Sequence, residues 1–483
     1  MTDDATTPPA DAVPLPTGGP SARAECWALF GIALVFLVLQ SPLLGIWEPW
    51  EADVAAAVDA LRGGDWFAVL QPEGEGTRAV AELPYGLWPA AALAGVLGTG
   101  ELALRLPGLL LMLPVVLLAF ATTRRTHGRF AAWAAALGLL AMPLFIFHGR
   151  LAFGTSVGVN LSALSALAFL RIQGDADAGA GWRWLAWLTL AGAGLTAGVP
   201  GLLGPLGVLA VLALSAARDP GVERAAGQPW VPGALATGFV LLLIAVVALI
   251  GVGYIRYGAY AAMGGLALLG IIALGGPDAA TLRRSGAARR FFPLPAVGVG
   301  LALLAGGWWA AVSQAPEGVS LRGLLLWIDG FGAPASPASR PSFDLFVHQI
   351  GFGLFPLGAL VPLAFAELLA TPGRDDEAPA ARAVAPALTL WFAVGFLGPA
   401  LGAPISQAGF FLAAPAVAVA VGVWFARVLR SPPQPLSSSS PSSCWPCSTA
   451  TSSTRPSLWP TPWSRAASMP SRRSCPTGAS PAS

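Results

Sequence analysis

The chain contains no lysine, so all 27 of its basic residues are arginines. This absence excludes a P-loop lysine, a Schiff-base lysine and any lysine contact to a phosphate. Charged residues make up only 11% of the 483 residues, whereas hydrophobic residues make up 55%. A soluble core does not need so much apolar surface, so the composition predicts a polytopic membrane protein. The net charge of +2 is too small to indicate a nucleic-acid partner.

Cysteine is also scarce, with four residues in the chain. Cys444 and Cys447 form a C-x-x-C pattern, but neither a second pair nor a histidine lies near them, so the pattern does not predict a metal or redox site. We therefore expect no metal ligands and no certain cofactor; a divalent metal is compatible with the sequence but has no support in it.

Composition divides the chain into three parts. Residues 1–25 are rich in Pro, Ala, Thr and Asp and have no basic n-region, which predicts a disordered leader before a retained anchor. Residues 26–430 hold the apolar runs and form the predicted membrane domain. Residues 431–483 are rich in Ser, Pro and Arg without apolar periodicity, which is typical of a low-complexity tail. A shifted reading frame in a GC-rich gene also explains this tail, and we favour that interpretation.

Apolar runs of membrane-spanning length recur through the membrane domain. They predict helices at 27–46, 103–121, 129–147, 152–171, 184–198, 199–216, 233–252, 257–275, 294–313, 346–370, 384–402 and 408–427. A shorter run at 85–98 is ambiguous. The predicted fold class is therefore an all-α polytopic membrane protein with about 12 to 13 transmembrane helices.

The arginines orient these helices, because short cytoplasmic loops collect positive charge. The basic connections are Arg124-Arg125 with Arg129, Arg171, Arg218 with Arg224, Arg283-Arg284 with Arg289-Arg290, Arg374 with Arg382, and Arg427 with Arg430. All of them fall on one side if 85–98 does not cross the membrane, with both chain ends cytoplasmic. The long, arginine-poor connections 47–102 and 314–345 then lie outside. If 85–98 does cross, the downstream assignment inverts; we favour the first topology.

An acidic cluster directly follows the first apolar run, where the chain reads Trp47-Glu48-Pro49-Trp50-Glu51-Ala52-Asp53. Carboxylates at this membrane–water boundary can stay ionised. They are either a solvated helix flank or a general base presented to a lipid-borne substrate. The segment from Glu51 to Arg62 then predicts an amphipathic helix in the interface, which Gly63-Gly64 ends.

The order of motifs resembles a known family. The first helix and acidic cluster are followed by Gly64-Asp65-Trp66, then by Glu82-Leu83-Pro84 before Tyr85, and then by Glu101 to Pro107. This order is similar to lipid-linked-sugar glycosyltransferases of the protein O-mannosyltransferase and lipid A aminoarabinose transferase group, which are family 39-like and have the superfamily C fold. The resemblance covers residues 27–427.

The resemblance implies transfer of a sugar from a polyprenyl-phosphate donor to a hydroxyl of a glycan, lipid or protein acceptor, on the outer, periplasmic face of the bacterial inner membrane. It places the catalytic carboxylate at Glu48 or Glu51. Further substrate-binding candidates are Asp53, Glu82, Tyr85, Arg105, Arg150 and His348. The arginines would stabilise the leaving lipid phosphate, although snorkelling to the interface also explains them. His348 would contact the phosphate or acceptor, or would only cap its helix.

Departures from the family pattern keep two alternatives open. The usual Glu-Lys-Pro is Glu82-Leu83-Pro84 here, and Thr155-Ser156 stand where a second acid is expected after Arg150. The chain is therefore also compatible with a catalytically degenerate lipid-binding relative. A lipid or solute transporter is the other alternative, but transporters show internal repeats and charged or broken helices at the midplane. Neither feature is visible in the sequence.

Overall fold

The computed structural model describes residues 21–38, 45, 50–67, 83–152, 156–175, 178–217, 290–314, 349–371, 377, 379–397 and 411–430. Within these ranges the structure is helical and contains no strand. The predicted helices at 233–252 and 257–275, residues 315–345 of the predicted outer connection, residues 1–20 of the predicted leader and the tail 431–483 lie outside them.

The described ranges contain twelve α-helices of eight or more residues, which we number in chain order. They are α1 (Ala22–Val38), α2 (Trp50–Arg62), α3 (Trp88–Leu97), α4 (Glu101–His127), α5 (Arg129–Ala141), α6 (Pro143–Arg150), α7 (Ser156–Gln173), α8 (Ala180–Ala217), α9 (Leu294–Ser313), α10 (Val361–Ala370), α11 (Val384–Phe392) and α12 (Ala414–Arg430). The predicted all-α class and the helix in the first outer loop, α2, are confirmed.

Several of these helices are long and apolar enough to cross a membrane. They are α4, α7, α8 and α9, and α5 with α6 would form a further span that is bent by 60°. The sequence predicted one straight helix at 129–147. The bend follows from Pro143, which has no N–H to donate to the α5 ladder and keeps Met142 out of the helical region. The chain is thus a multi-pass membrane protein.

Helix α8 is folded sharply at Gly198, whose φ of 61° and ψ of −152° suit only glycine. A Cβ on Gly201 would lie 2.6 Å from the carbonyl oxygen of Ala193. Residues eight apart on a straight helix are about 12 Å apart, so the two halves of α8 fold back against each other. This agrees with the separate helices predicted at 184–198 and 199–216.

Arginines from several helices meet at one end of the bundle, which we call the arginine-rich end. Arg124 and Arg129 pair with Glu25, Arg125 pairs with Asp175, and Arg427 pairs with Glu377. Arg290 donates to the carbonyls of Ile172 and Gln173, and Arg430 donates to that of His127. The arginines that were predicted to be cytoplasmic and that the structure describes thus lie together at the arginine-rich end.

The opposite end holds α2, α3 and the first turns of α4, and we call it the acidic-loop end. Arg105 and Arg125 are separated by about 30 Å along α4. Helix α3 has ten residues and is therefore only about 15 Å long, too short to cross a bilayer. This length favours the topology in which 85–98 does not cross.

Candidate functional site

Helix α2 turns one face inward at the acidic-loop end. Its buried side chains are Glu51, Val54, Val58 and Leu61, whose spacing of three and four residues defines a single helical face. Val54, Val58 and Leu61 pack in one apolar cluster with Leu87, which directly precedes α3, and with residues of α3 and of the start of α4. Glu51 is only 1% exposed. A carboxylate on such a face needs a partner, because a lone buried charge is strongly destabilising.

That partner is Arg105 on α4, itself 1% exposed. Its Nε lies 2.8 Å from Glu51 Oε1, and its terminal nitrogen lies 2.5 Å from Glu51 Oε2. The same terminal nitrogen donates to the carbonyl of Gly45 at 2.8 Å, and the backbone N–H of Ala152 donates to Glu51 Oε1 at 2.7 Å. This forked, charge-assisted geometry is the strong form of a carboxylate–guanidinium contact. These contacts link α2 and α4 to each other, to Gly45 before α2 and to Ala152 after α6.

Arg105 also lines a small pocket between α3, α4 and the start of α7. Other lining residues are Leu87, Leu104, Gly108 and Ser156. The Ser156 hydroxyl donates to the carbonyl of His148 at 3.0 Å. The pocket thus combines an apolar wall with one guanidinium.

Arg150, at the end of α6, lies at the same end of the bundle. Its guanidinium donates to the carbonyl of Phe36 in the last described turn of α1. Unlike Arg105, Arg150 is half-buried. The two predicted phosphate-binding arginines therefore share an end of the bundle but differ in exposure.

Hydrogen bonds and ring contacts of aromatic side chains link the turn after α2 to Tyr85, to Trp88 and to α9. Trp88 Nε1 donates to the carbonyl of Trp66 at 2.9 Å, and the rings of Tyr85 and Trp88 lie 4.8 Å apart. The Tyr85 hydroxyl donates to the carbonyl of Gly307 on α9 at 2.5 Å. Burial raises the pKa of Tyr85 above its usual value, so this hydroxyl stays protonated.

The remaining predicted site residues are less fully defined. Asp53 belongs to α2, but its side chain is outside the description. Glu48, Glu82 and His348 lie outside the described residues. In the part of the chain that the structure describes, no three His, Cys, Asp or Glu side chains come together as metal ligands.

Two partners in the site, the Ala152 N–H and the Gly45 carbonyl, were missed by sequence reasoning. Both are backbone groups, which carry no signature in the residue type. The buried His148 on α6, whose carbonyl accepts the Ser156 hydroxyl, was missed as well.

No protein-family model and no curated protein matches the sequence. Solved structures do match. ArnT from Cupriavidus metallidurans bound to undecaprenyl phosphate has a TM-score of 0.52 and 16% identity, over 83% of this chain and 60% of that chain. The same ArnT in the apo state has a TM-score of 0.53 and 18% identity, with the same coverage. The Archaeoglobus fulgidus oligosaccharyltransferase in the apo form has a TM-score of 0.44 and 15% identity, over 83% of this chain and 50% of that chain.

This chain thus spans 60% of the length of the ArnT chains. The ArnT matches confirm the fold that the motif order implied.

Proposed function

We propose that this chain, which has the superfamily C fold of the membrane glycosyltransferase ArnT, transfers a sugar from a polyprenyl-phosphate donor to an acceptor hydroxyl. The observation that carries the proposal is the Glu51–Arg105 pair beside a pocket at one end of an ArnT-like bundle. One of the matching ArnT structures was solved with undecaprenyl phosphate bound. Polyprenyl phosphate is accordingly the lipid we propose for this chain.

The proposed reaction needs a base and a cation. An acceptor hydroxyl is a weak nucleophile, so a carboxylate of the acidic cluster, Glu48 or Glu51, accepts its proton as the oxygen bonds to the anomeric carbon. The bond between that carbon and the phosphate oxygen breaks at the same time. The lipid phosphate leaves with added negative charge, which an arginine stabilises. Arg150 is the more accessible candidate, and Arg105 lines the pocket.

The other predicted contacts complete the proposal. Asp53, Glu82, Tyr85 and His348 would bind the donor or the acceptor, which is a glycan, lipid or protein. The reaction would take place on the periplasmic face of a bacterial inner membrane, since the arginine-rich end is the cytoplasmic one under the positive-inside rule.

The transporter alternative conflicts with the arginine-rich end. Alternating access would require that end to open, which would separate the buried pair of Glu377 with Arg427 and would part the buried Glu25 from the more exposed Arg124 and Arg129. A bundle closed in this way suits chemistry at the opposite end better than transport through its centre.

Sugar transfer by purified protein, supplied with polyprenyl-phosphate sugars and candidate acceptors, tests the proposal. Glu48→Gln should reduce turnover by about 100-fold or more, the scale of a lost general base, if Glu48 is that base; the same holds for Glu51→Gln if Glu51 is. Asp59→Asn is the matched control, because Asp59 is an exposed carboxylate on α2. The assignment of the base to the acidic cluster fails if both glutamine variants transfer sugar at the rate of the control, whereas the proposed function fails if the parent protein transfers no sugar.

A further inference from the structure

We propose that Glu25, Arg124 and Arg129 form a site that binds the phosphate of an anionic phospholipid in the membrane leaflet at the arginine-rich end. We call these three residues the Glu25 triad; they come from α1, α4 and α5 respectively. The proposal does not depend on sugar transfer, because the triad lies at the opposite end of the bundle from the acidic loop. The lipid is also distinct from the polyprenyl-phosphate donor proposed above.

The two guanidiniums of the triad share one carboxylate. A terminal nitrogen of Arg124 lies 3.1 Å from Glu25 Oε2, and Arg129 Nε pairs with Glu25 Oε1. The Glu25 side chain is 2% exposed, whereas the side chains of Arg124 and Arg129 are 25% and 54% exposed. The negative charge is therefore buried behind two more exposed positive charges, and the triad presents net positive charge to its surroundings.

Both arginines have hydrogen-bond donors to offer a second acceptor. A guanidinium carries five N–H donors in a planar fork, and each ion pair with Glu25 is made through one nitrogen. The shared carboxylate also keeps the two side chains close together, so part of their rotamer freedom is lost before a ligand binds. A phosphate suits two neighbouring guanidiniums, because its oxygens accept forked, charge-assisted hydrogen bonds from both.

The triad lies beside an apolar, outward-facing surface of the bundle. Helix α1 packs mainly against α4 and α6, and its other face exposes Ile32, Leu34, Val35 and Phe36. These side chains are about 10–17 Å from Glu25 along α1, which is the depth of the acyl chains when Glu25 is at the level of the headgroups. A phospholipid with its phosphate at the triad would therefore have its acyl chains along an apolar helix face.

Two exposed aromatic side chains lie slightly deeper than the triad. Trp27 is about 3 Å further along α1 than Glu25, and Phe130 directly follows Arg129 on α5. They are 71% and 55% exposed. Tryptophan is typical of the membrane–water interface, so these rings are placed to contact the glycerol and the upper acyl chains. This layering, with cations outside and apolar groups inside, favours a lipid over a soluble anion.

A second group of charges at the arginine-rich end provides a matched comparison. A terminal nitrogen of Arg125 lies 3.0 Å from Asp175 Oδ2, and one of Arg171 lies 3.8 Å from the same oxygen. Arg125 is 43% exposed, which is close to the exposure of Arg129, but it donates to the Gly174 carbonyl after α7 instead of contacting α1. Removing either arginine takes the same charge from the same end, so only a defined site would distinguish them.

Native mass spectrometry of the purified protein, with added phosphatidylglycerol or phosphatidylcholine, tests the proposal. The parent should bind phosphatidylglycerol about tenfold or more tightly than phosphatidylcholine. Arg129→Gln should remove most of this preference, whereas Arg125→Gln should change the phosphatidylglycerol Kd by less than about threefold, because its charge acts only through screened solvent. Arg129→Gln leaves Glu25 paired with Arg124, so it exposes the fold to no unpaired buried charge. Arg129→Lys should restore only part of the affinity, since an ammonium cannot form the fork.

Three outcomes would overturn the site. The first is equal affinity of the parent for the two lipids. The second is an equal loss in Arg129→Gln and Arg125→Gln, which would show diffuse attraction to the whole end. The third is full affinity in Arg129→Lys, which would show that no forked contact is made.

Two further measurements separate the lipid from a soluble anion and locate it. Excess glycerol 3-phosphate should not displace phosphatidylglycerol, because it has no acyl chains for the apolar face of α1; full displacement would assign the triad to a soluble anion and contradict the proposal. A phosphatidylglycerol with a photoactivatable group near its glycerol should label residues 23–30 or 124–130. Labelling confined to other segments would place the lipid elsewhere and overturn the assignment.

Discussion

Arg427→Met should destabilise the protein more than almost any other single arginine substitution. Arg427 is 3% exposed, and its Nε and one terminal nitrogen lie 2.8 and 3.0 Å from the Glu377 carboxylate. Its other terminal nitrogen donates to the Thr371 carbonyl at 2.7 Å. Methionine fills most of the same volume but leaves Glu377, which is 6% exposed, without its counterion. Removing one partner of a buried pair costs about 3–5 kcal/mol.

The free energy of unfolding can be measured by denaturant titration in mixed micelles. Arg62→Met serves as the control, because the Arg62 side chain is 40% exposed. One of its terminal nitrogens lies 3.5 Å from a carboxylate oxygen of the exposed Asp59. Such a surface pair contributes about 0.2–1 kcal/mol. Adding Glu377→Gln to Arg427→Met should recover part of the loss, since the unpaired charge is then removed. If Arg427→Met is no more destabilising than Arg62→Met, the buried pair does not contribute as we argue.

Four further predictions address the hinge, the donor, the tail and the topology. Gly198→Ala should cost about 1–3 kcal/mol in the same titration, because alanine does not tolerate this backbone conformation; an unchanged midpoint would argue against the folded-back α8. Arg150→Ala should weaken binding of radiolabelled polyprenyl phosphate by about tenfold or more, and Arg150→Lys should restore only part, since an ammonium cannot form a forked contact; equal affinity in all three proteins would remove Arg150 from the site. Deleting residues 436–483 should leave membrane insertion and monodispersity unchanged, and aggregation of the truncated protein would contradict this. Single cysteines introduced at positions 286 and 320 should react with impermeant reagents from opposite sides of the membrane; reaction from the same side would refute the topology.

The bundle itself was predictable because its signals are local. Apolar runs of membrane length identify helices such as α4, α7 and α9. The arginines at their ends predict which end of each helix faces the cytoplasm. Gly63-Gly64 marks the end of α2 where the structure also ends it. The bend between α5 and α6 was missed, although Pro143 was visible, because a continuous apolar run conceals a break in direction.

The site was predictable only in part, because its partners are distant in sequence. Glu51 and Arg105 could each be named from their positions beside a helix end, but their pairing spans 54 residues and depends on how α2 packs against α4. The sequence therefore named both residues as site candidates but did not indicate that their side chains form an ion pair with each other. Glu377 and Arg427 are 50 residues apart in the sequence, and neither local segment predicts that they pair.

The most direct test of the account is the fate of the donor. Purified protein in liposomes should convert a polyprenyl-phosphate sugar and a hydroxyl acceptor into glycosylated acceptor and free polyprenyl phosphate in equal amounts. A lipid-binding relative or a transporter would instead return the donor intact. Equimolar release of polyprenyl phosphate is the result we predict, and quantitative recovery of the bound or translocated donor, across a panel of sugars and acceptors, would contradict the proposed transferase.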